Sequence, residues 1–448
     1  MMIGRRFRAA VLIGAAASVL AFASGAKAQD RDSDDKHHRN SNDNHWPYAT
    51  TRHSPVLAVV GDVACQPGAP EPTEKKGETC DQDTVQNLRQ TQAATAQQIE
   101  NMKPDLVALV GDEQYQVAQY SDFENSYEQT YGAFKMITRP APGNHEFYVE
   151  HGAIGVAGYG YFSYFNGVQH NPDGTIMMAT IANNPDTGGT FTQPVPFSDG
   201  QAGHFEQSGG LGNTVPPGGN VGVGDGWYSY DLGSWHLISL NIECETQPGG
   251  CTGAWIAAEL AWLKHDLERN HSQCTLAYWH QPTFSAANSI AVPEGTTAQA
   301  FWKLLYEHRA DLVLNGHDHL YARYRPLDPS GNSDPKKGIR EFIVGTGGET
   351  LDAVATTGTT SDPSGNNNFN TENLETATGN YWGVMALTLD PNGYKWDFES
   401  AMELPGAITP ATYSDTGVGF CHGSPNGHDD DYARDRDYDH DRDHDRDR

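Results

Sequence analysis

Four apolar runs, each leading into a turn that carries a metal-binding type of side chain, constrain this 448-residue chain most strongly. Val56-Leu57-Ala58-Val59-Val60 leads into Gly61-Asp62, and Leu106-Val107-Ala108-Leu109-Val110 leads into Gly111-Asp112. Thr275-Leu276-Ala277-Tyr278 leads into Trp279-His280, and Asp311-Leu312-Val313-Leu314 into Gly316-His317-Asp318-His319. Short continuous apolar runs of this length read as buried strands. Residues at the carboxyl ends of such strands lie where open α/β sheets bind their ligands. A fifth block, Gly143-Asn144-His145-Glu146, follows a short strand. With Tyr115, three residues past Asp112, the blocks offer seven donors: Asp62, Asp112, Tyr115, Asn144, His280, His317 and His319. Two metal ions need such a set, with one carboxylate bridging and the other donors divided between them. Taken singly, Gly-Asp after a strand is common and a buried histidine is usually a satisfied core residue. Their conjunction after four strands indicates a metal-dependent enzyme.

The alternation of strands and helices indicates a layered, mixed α/β fold. Helices are expected over 84–102, where Val85, Leu88, Ala93, Ile99 and Met102 form an apolar stripe, and over 121–135, 254–270 and 296–309. A hairpin is expected around Leu232-Gly233-Ser234. Later strands at 320–325, 339–344, 381–389 and 395–399 read as a second sheet packed on the first, with 346–378 as a loop. Residues 150–225, rich in Gly, Asn, Pro and aromatics, show no helical period and read either as a surface insertion or as a lid over the site.

Residues 1–28 read as a signal peptide: Arg5, Arg6 and Arg8, an apolar run from Ala9 to Ala23, then Ala26-Lys27-Ala28 as the cleavage site. Arg5-Arg6 leaves twin-arginine export open beside the general route. A polar linker (29–53), a catalytic domain (54–425) and a disordered Asp/Arg/His-rich tail (426–448) follow, because neither flank has apolar residues to bury. The expectation is an exported protein, periplasmic or secreted, with no stable membrane anchor. Six cysteines in an exported chain favour disulfides. Cys65 and Cys80, and Cys244 and Cys251, bracket turn-rich segments and read as local staples, leaving Cys274 with Cys421 by elimination. A formal charge of −29 argues against a nucleic-acid scaffold, although bound metal ions would still permit an anionic substrate.

The blocks together resemble the calcineurin-like metallophosphoesterase superfamily, and Gly111-Asp112-x-x-Tyr115 resembles its purple acid phosphatase branch. The resemblance covers roughly residues 56–350. It implies a four-layer sandwich of two mixed β-sheets flanked by helices, with a dinuclear site at the strand ends. It also implies that Asp112 bridges the metals. Asp62, Tyr115 and His319 would complete a site for Fe(III), and Asn144, His280 and His317 one for Zn, Mn or Fe(II). His145 would stabilise the transition state or protonate the leaving oxygen of a small phosphate ester attacked by a metal-bound hydroxide.

Three departures qualify the resemblance. Ala64 stands where many superfamily members have a histidine and the purple branch a glycine, which leaves Tyr115 as the replacement donor. Plant members carry substrate-binding histidines after the His280 position, where this chain reads Ala286-Ala287-Asn288-Ser289. They also place a β domain before the catalytic one, and here only a short segment precedes Ser54. Alternative readings are a phosphodiesterase or nucleotidase of the same superfamily, or a non-catalytic exported metal- or phosphate-binding protein. A metallopeptidase lacks its His-Glu-x-x-His motif.

Overall fold

The computed structural model describes residues 54–67, 80, 88–147, 158–182, 190–196, 226–247, 249–287, 295–355, 372–403 and 412–422. The signal peptide, the linker and the tail expected from the sequence lie outside the described residues. In chain order the elements are β1 (Val56–Val60), α1 (Leu88–Met102), β2 (Leu106–Val110), α2 (Tyr120–Asn125), β3 (Thr138–Ala141), α3 (Asn144–Phe147), α4 (Tyr159–Asn166), β4 (Met178–Ala182), β5 (Thr190–Pro194), β6 (Tyr228–Leu232) and β7 (Trp235–Ser239). Then come α5 (Ala254–Arg269), β8 (Cys274–Tyr278), α6 (Gly295–Glu307), β9 (Leu312–Asn315), β10 (Tyr321–Tyr324), β11 (Arg340–Val344), β12 (Leu374–Thr378), β13 (Tyr381–Asp390), β14 (Gly393–Glu403) and β15 (Ser414–Phe420).

Two mixed sheets form the body. One is ordered β15-β14-β13-β1-β2-β3 and the other β12-β10-β11-β9-β8-β7-β6, with β4-β5 as a separate ribbon. The strand sequences explain the layering. On β8 and β9, Leu276, Leu312 and Leu314 belong to the core between the sheets, on whose other side lie Leu57, Val59 and Ala108. Their neighbours Ala277 and Val313 face the other way, onto Ile256 and Leu263 of α5 and Phe301 and Trp302 of α6. A strand covered on both faces has no place for polar alternation, hence the continuous apolar runs. Truncating a residue such as Leu276 to alanine should cost about 2–5 kcal/mol. On the outer side of the first sheet, α1 packs against β13 and β14.

Register places the functional turns together. β1 and β2 are parallel with Val60 opposite Leu109, and β2 and β3 are parallel with Val110 opposite Ala141. Three turns, at Asp62, Asp112 and Asn144, therefore leave the same sheet edge side by side. In the second sheet β8 and β9 are parallel with Tyr278 opposite Leu314, and the Gly316 amide donates to the His280 carbonyl at 3.0 Å.

Several expectations need correction. The later strands do not all build the second sheet: β13 lies antiparallel to β1, with Val56 opposite Thr388, so the β13-β14 hairpin extends the first sheet. The segment expected as one helix over 121–135 is α2 followed by 3₁₀ turns at Tyr127–Gln129 and Tyr131–Ile137. Its buried Phe123, Tyr127 and Tyr131 mimic a helical stripe. However, Gln114 Oε1 accepts the Tyr127 amide, and Gln92 Nε2 donates to the Ser126 carbonyl, taking up groups a continuous helix would use. Within 150–225, α4 is an aromatic-rich helix buried along almost its whole length and so without an amphipathic period. The 346–378 loop ends in β12, a half-buried strand.

All three expected disulfides are present: Cys65–Cys80, Cys244–Cys251 and Cys274–Cys421. The last ties the end of β15 to β8 across 147 residues. Among the described residues, no helix is long and apolar enough to cross a membrane.

Candidate metal centre

The turns that carry the donors are strained in a specific way. Asp62, Asp112 and His317 adopt φ values of 58°, 51° and 68°, the left-handed region that L side chains rarely enter. Such strain gathers at sites where the surrounding structure dictates side-chain direction. Two glycines permit the crowding. A Cβ on Gly111 would stand 2.3 Å from His280 Nδ1, and one on Gly143 would stand 2.3 Å from Asp112 Oδ1.

The eight residues singled out in the sequence converge. The Tyr115 hydroxyl lies 3.0 Å from each of Asp62 Oδ1, Asp112 Oδ2 and His319 Nε2. His319 Nε2 is 3.2 Å from Asp62 Oδ1. On the other side of Asp112, His280 Nε2 lies 3.1 Å from Asp112 Oδ2. His317 Nδ1 lies 3.3 Å from His280 Nε2 and 3.0 Å from Asn144 Oδ1. The donors thus fall into two groups that share Asp112. His145 stands at the edge, with Nε2 3.8 Å from Asp112 Oδ2.

Backbone contacts orient four of the donors. Asp62 Oδ2 accepts the His317 amide at 3.0 Å and Asp112 Oδ1 the His145 amide at 2.9 Å, leaving the second oxygen of each facing the centre. His280 Nδ1 lies 2.8 Å from the Val110 carbonyl, and His319 Nδ1 lies 2.7 Å from the Thr350 carbonyl. Each carbonyl takes an N–H, so the lone pair sits on Nε2 and points inward. His319 is held further by Asp352, whose carboxylate accepts its amide at 3.0 Å.

This arrangement fits metal ions. Asp62, Asp112 and His280 each present a ligating atom within 4.8 Å of the others. Buried His317 Nε2 has no hydrogen-bond partner, while its Nδ1 faces another imidazole nitrogen. Oxygen and nitrogen lone pairs aimed at one buried point are costly without a cation between them. The electrostatics carry the same mark. Burial opposes charge on His280, yet the Asp112 carboxylate outweighs it and raises the imidazole pKa to about 10. Burial, together with the charge on His280, pushes His317 down to about 3. Burial followed by the charges of Asp112 and Asp62 drives the Tyr115 hydroxyl well above its usual range. A bound cation would reverse the sign of these local fields.

Ala64 contributes no donor, but its carbonyl accepts the Tyr115 amide at 2.8 Å and so fixes the tyrosine beside Asp62 and Asp112. In the segment after His280, Asp318 Oδ2 accepts Ser285 Oγ and the amides of Ala286 and Ala287 at 2.8–3.0 Å. A buried carboxylate therefore organises this stretch. Asn288 and Ser289 lie outside the described residues.

Sequence reasoning passed over Glu146 as more than part of a motif. Glu146 Oε2 accepts the amides of Asp112 (3.0 Å) and Gly143 (2.8 Å), and Oε1 that of Gln114 (3.1 Å). It clamps the Asp112 turn to the Asn144 turn. Its position five residues past β3 was the only available signal, since acceptor geometry leaves no trace in spacing.

A family profile described as calcineurin-like phosphoesterase matches residues 55–321. Purple acid phosphatase 15 of Arabidopsis thaliana is 30% identical over 118 residues, which are 23% of this chain and 20% of that protein. An acid phosphatase of Aspergillus ficuum is 27% identical over 150 residues, 25% of this chain and 24% of that one. The chain thus spans about a fifth to a quarter of the length of these curated relatives. A purple acid phosphatase from yellow lupin seeds aligns over 82% of this chain and 55% of its own, at 17% identity and a TM-score of 0.48. The chain belongs to the calcineurin-like phosphoesterase family.

Proposed function

We propose that this chain hydrolyses small phosphate esters in the manner of an acid phosphatase. Asp62, Tyr115 and His319 hold Fe(III), Asn144, His280 and His317 hold Zn, Mn or Fe(II), and Asp112 is shared. The observation that carries this reading is the division of the converging donors into two groups around Asp112, with His145 at the rim. When bound, two such ions lower the pKa of water and neutralise phosphoryl oxygens. The chain's own residues supply the rest. Gly111 and Gly143 let the donor turns approach, while the Val110 and Thr350 carbonyls set the tautomers of His280 and His319. As the oxygen of water bonds to phosphorus and the ester P–O bond breaks, His145 Nε2 gives a proton to the departing oxygen. The site would face a substrate outside the cytoplasm, in keeping with the signal read at 1–28 and the three closed disulfides.

The test is purified protein with its metals quantified, assayed on a phosphomonoester and a phosphodiester. Monoester turnover at two ions per chain is expected. Preference for the diester would move the assignment to a phosphodiesterase. No turnover of either by fully loaded protein would leave a non-catalytic binding protein.

A further inference from the structure

His145 is aimed by residues that hold no metal. Its Nδ1 lies 2.7 Å from the Gln116 carbonyl oxygen, so Nδ1 is an N–H whether or not the ring is charged, and Nε2, the position of the transferable proton, turns toward Asp112. The ring also packs on Tyr115, with centroids 4.1 Å apart. Residue 116 has an anchor of its own: its amide donates to Gln66 Oε1. Gln66 in turn belongs to a stapled strap. Its carbonyl accepts the Cys80 amide at 2.8 Å, and Cys80 is bonded to Cys65 next to it. The strap is laced to the Asp112 turn, because the Tyr115 amide donates to the Ala64 carbonyl at 2.8 Å and Gln114 Nε2 to the Cys65 carbonyl at 3.1 Å.

We propose that Gln66, held by the Cys65–Cys80 staple, is the positioning residue for His145, acting through Gln116. The inference rests on the proposed role of His145 as proton donor to the leaving oxygen. The Gln66 amide oxygen fixes residue 116, whose carbonyl holds the Nδ1–H of His145 and so aims Nε2, which carries the second proton of the imidazolium, at the leaving oxygen. Gln66 touches neither substrate nor ions. Its loss therefore slows only the reactions that need the proton.

This distinction supplies the test. Full-length, metal-loaded protein is assayed on phosphomonoesters of graded leaving group, from an alkyl phosphate to dinitrophenyl phosphate, whose leaving group departs without a proton. Gln66→Leu is expected to lower kcat on the alkyl ester about 10–100-fold, part of the roughly 10²–10⁴-fold that general acid catalysis supplies. The dinitrophenyl ester should stay within about threefold. Gln66→Glu keeps an acceptor for the Gln116 amide and should recover most of the loss. Metal content should remain at wild-type stoichiometry in both variants. A readout free of turnover comes from ¹⁵N-labelled histidine in the metal-free protein, where the Nδ1–H signal of His145 should shift or broaden in Gln66→Leu. Equal loss on all esters, or no loss on any, overturns the inference. His145→Ala separates the two layers. If it shows leaving-group dependence and Gln66→Leu does not, only the positioning role fails. If it shows none, the proton-donor reading fails and the inference falls with it.

Discussion

Removing the Glu146 carboxylate should destabilise the metal-free protein by an amount that its hydrogen bonds set. The side chain is buried, and its two oxygens take three backbone amides, from Asp112, Gly143 and Gln114. Beside it sits Glu113, whose carboxyl oxygens are buried without a hydrogen-bond partner. Burial, followed by the charge of Glu146, pushes Glu113 well above the usual carboxylate range. Burial, followed by the charge of Asp112, raises Glu146 to about 8. With three N–H donors on Glu146 and none on Glu113, the pair holds its proton on Glu113. Glu146→Ala strands three buried amides at roughly 1–3 kcal/mol each. Water entering the gap and relaxation of the turns bring the sum to about 3–6 kcal/mol. That is a large part of a typical domain's stability of roughly 5–15 kcal/mol. At about 2 °C per kcal/mol for a domain of this size, Tm should fall by roughly 6–12 °C. Glu146→Gln can keep an oxygen at the position shared by Asp112 and Gly143 and turn its NH₂ against the Gln114 amide. It should cost only about 1–3 kcal/mol. Glu113→Gln, which breaks no accepted hydrogen bond, should stay within about 1 kcal/mol. Urea titrations of metal-stripped protein, followed by circular dichroism with the disulfides intact, give all three values. A loss below about 1 kcal/mol in Glu146→Ala, or a larger loss in Glu113→Gln, would refute the clamp.

Three further outcomes are expected. Asp112→Asn should lower the occupancy of both ions, measured by elemental analysis after reconstitution, because its Oδ2 lies within reach of both donor groups; loss of one ion alone would refute a bridging role. Tyr115→Phe should abolish the visible charge-transfer absorption of ferric protein while leaving its circular dichroism unchanged, and colour that survives would exclude the tyrosinate. At the β6-β7 hairpin, burial opposes charge on His236, but the hydrogen bonds its ring donates to Asp266 and Asp231 at 2.8 Å, with the charges of those carboxylates, outweigh it and raise its pKa. A raised folded-state value stabilises fully below the ordinary 6.5 and is lost as pH rises through the raised value, so His236→Gln should be more destabilising at pH 5.5 than at pH 8.5. Equal costs at the two pH values would sink that account.

By itself the sequence determined what depends on short-range pattern. Strands buried on both faces announce themselves as unbroken apolar runs, so β1, β2, β8 and β9 and the donors after them were legible. Turn-rich brackets made the Cys65–Cys80 and Cys244–Cys251 staples readable, and elimination then left Cys274–Cys421. Only the tertiary structure decided which sheet each late strand joins, because hydrogen bonding between β13 and β1 pairs residues more than 320 apart and leaves no periodic trace. It also decided α4, where burial along almost its whole length erases the amphipathic signal. The supports of the site came from it too: Glu146 on three amides, Asp318 under Ser285–Ala287, and Gln66 behind Gln116 and His145. These supports act through backbone amides and carbonyls that every residue possesses, so side-chain identity and spacing do not encode them. Donors are written in residue type, whereas their aim is written in the packing.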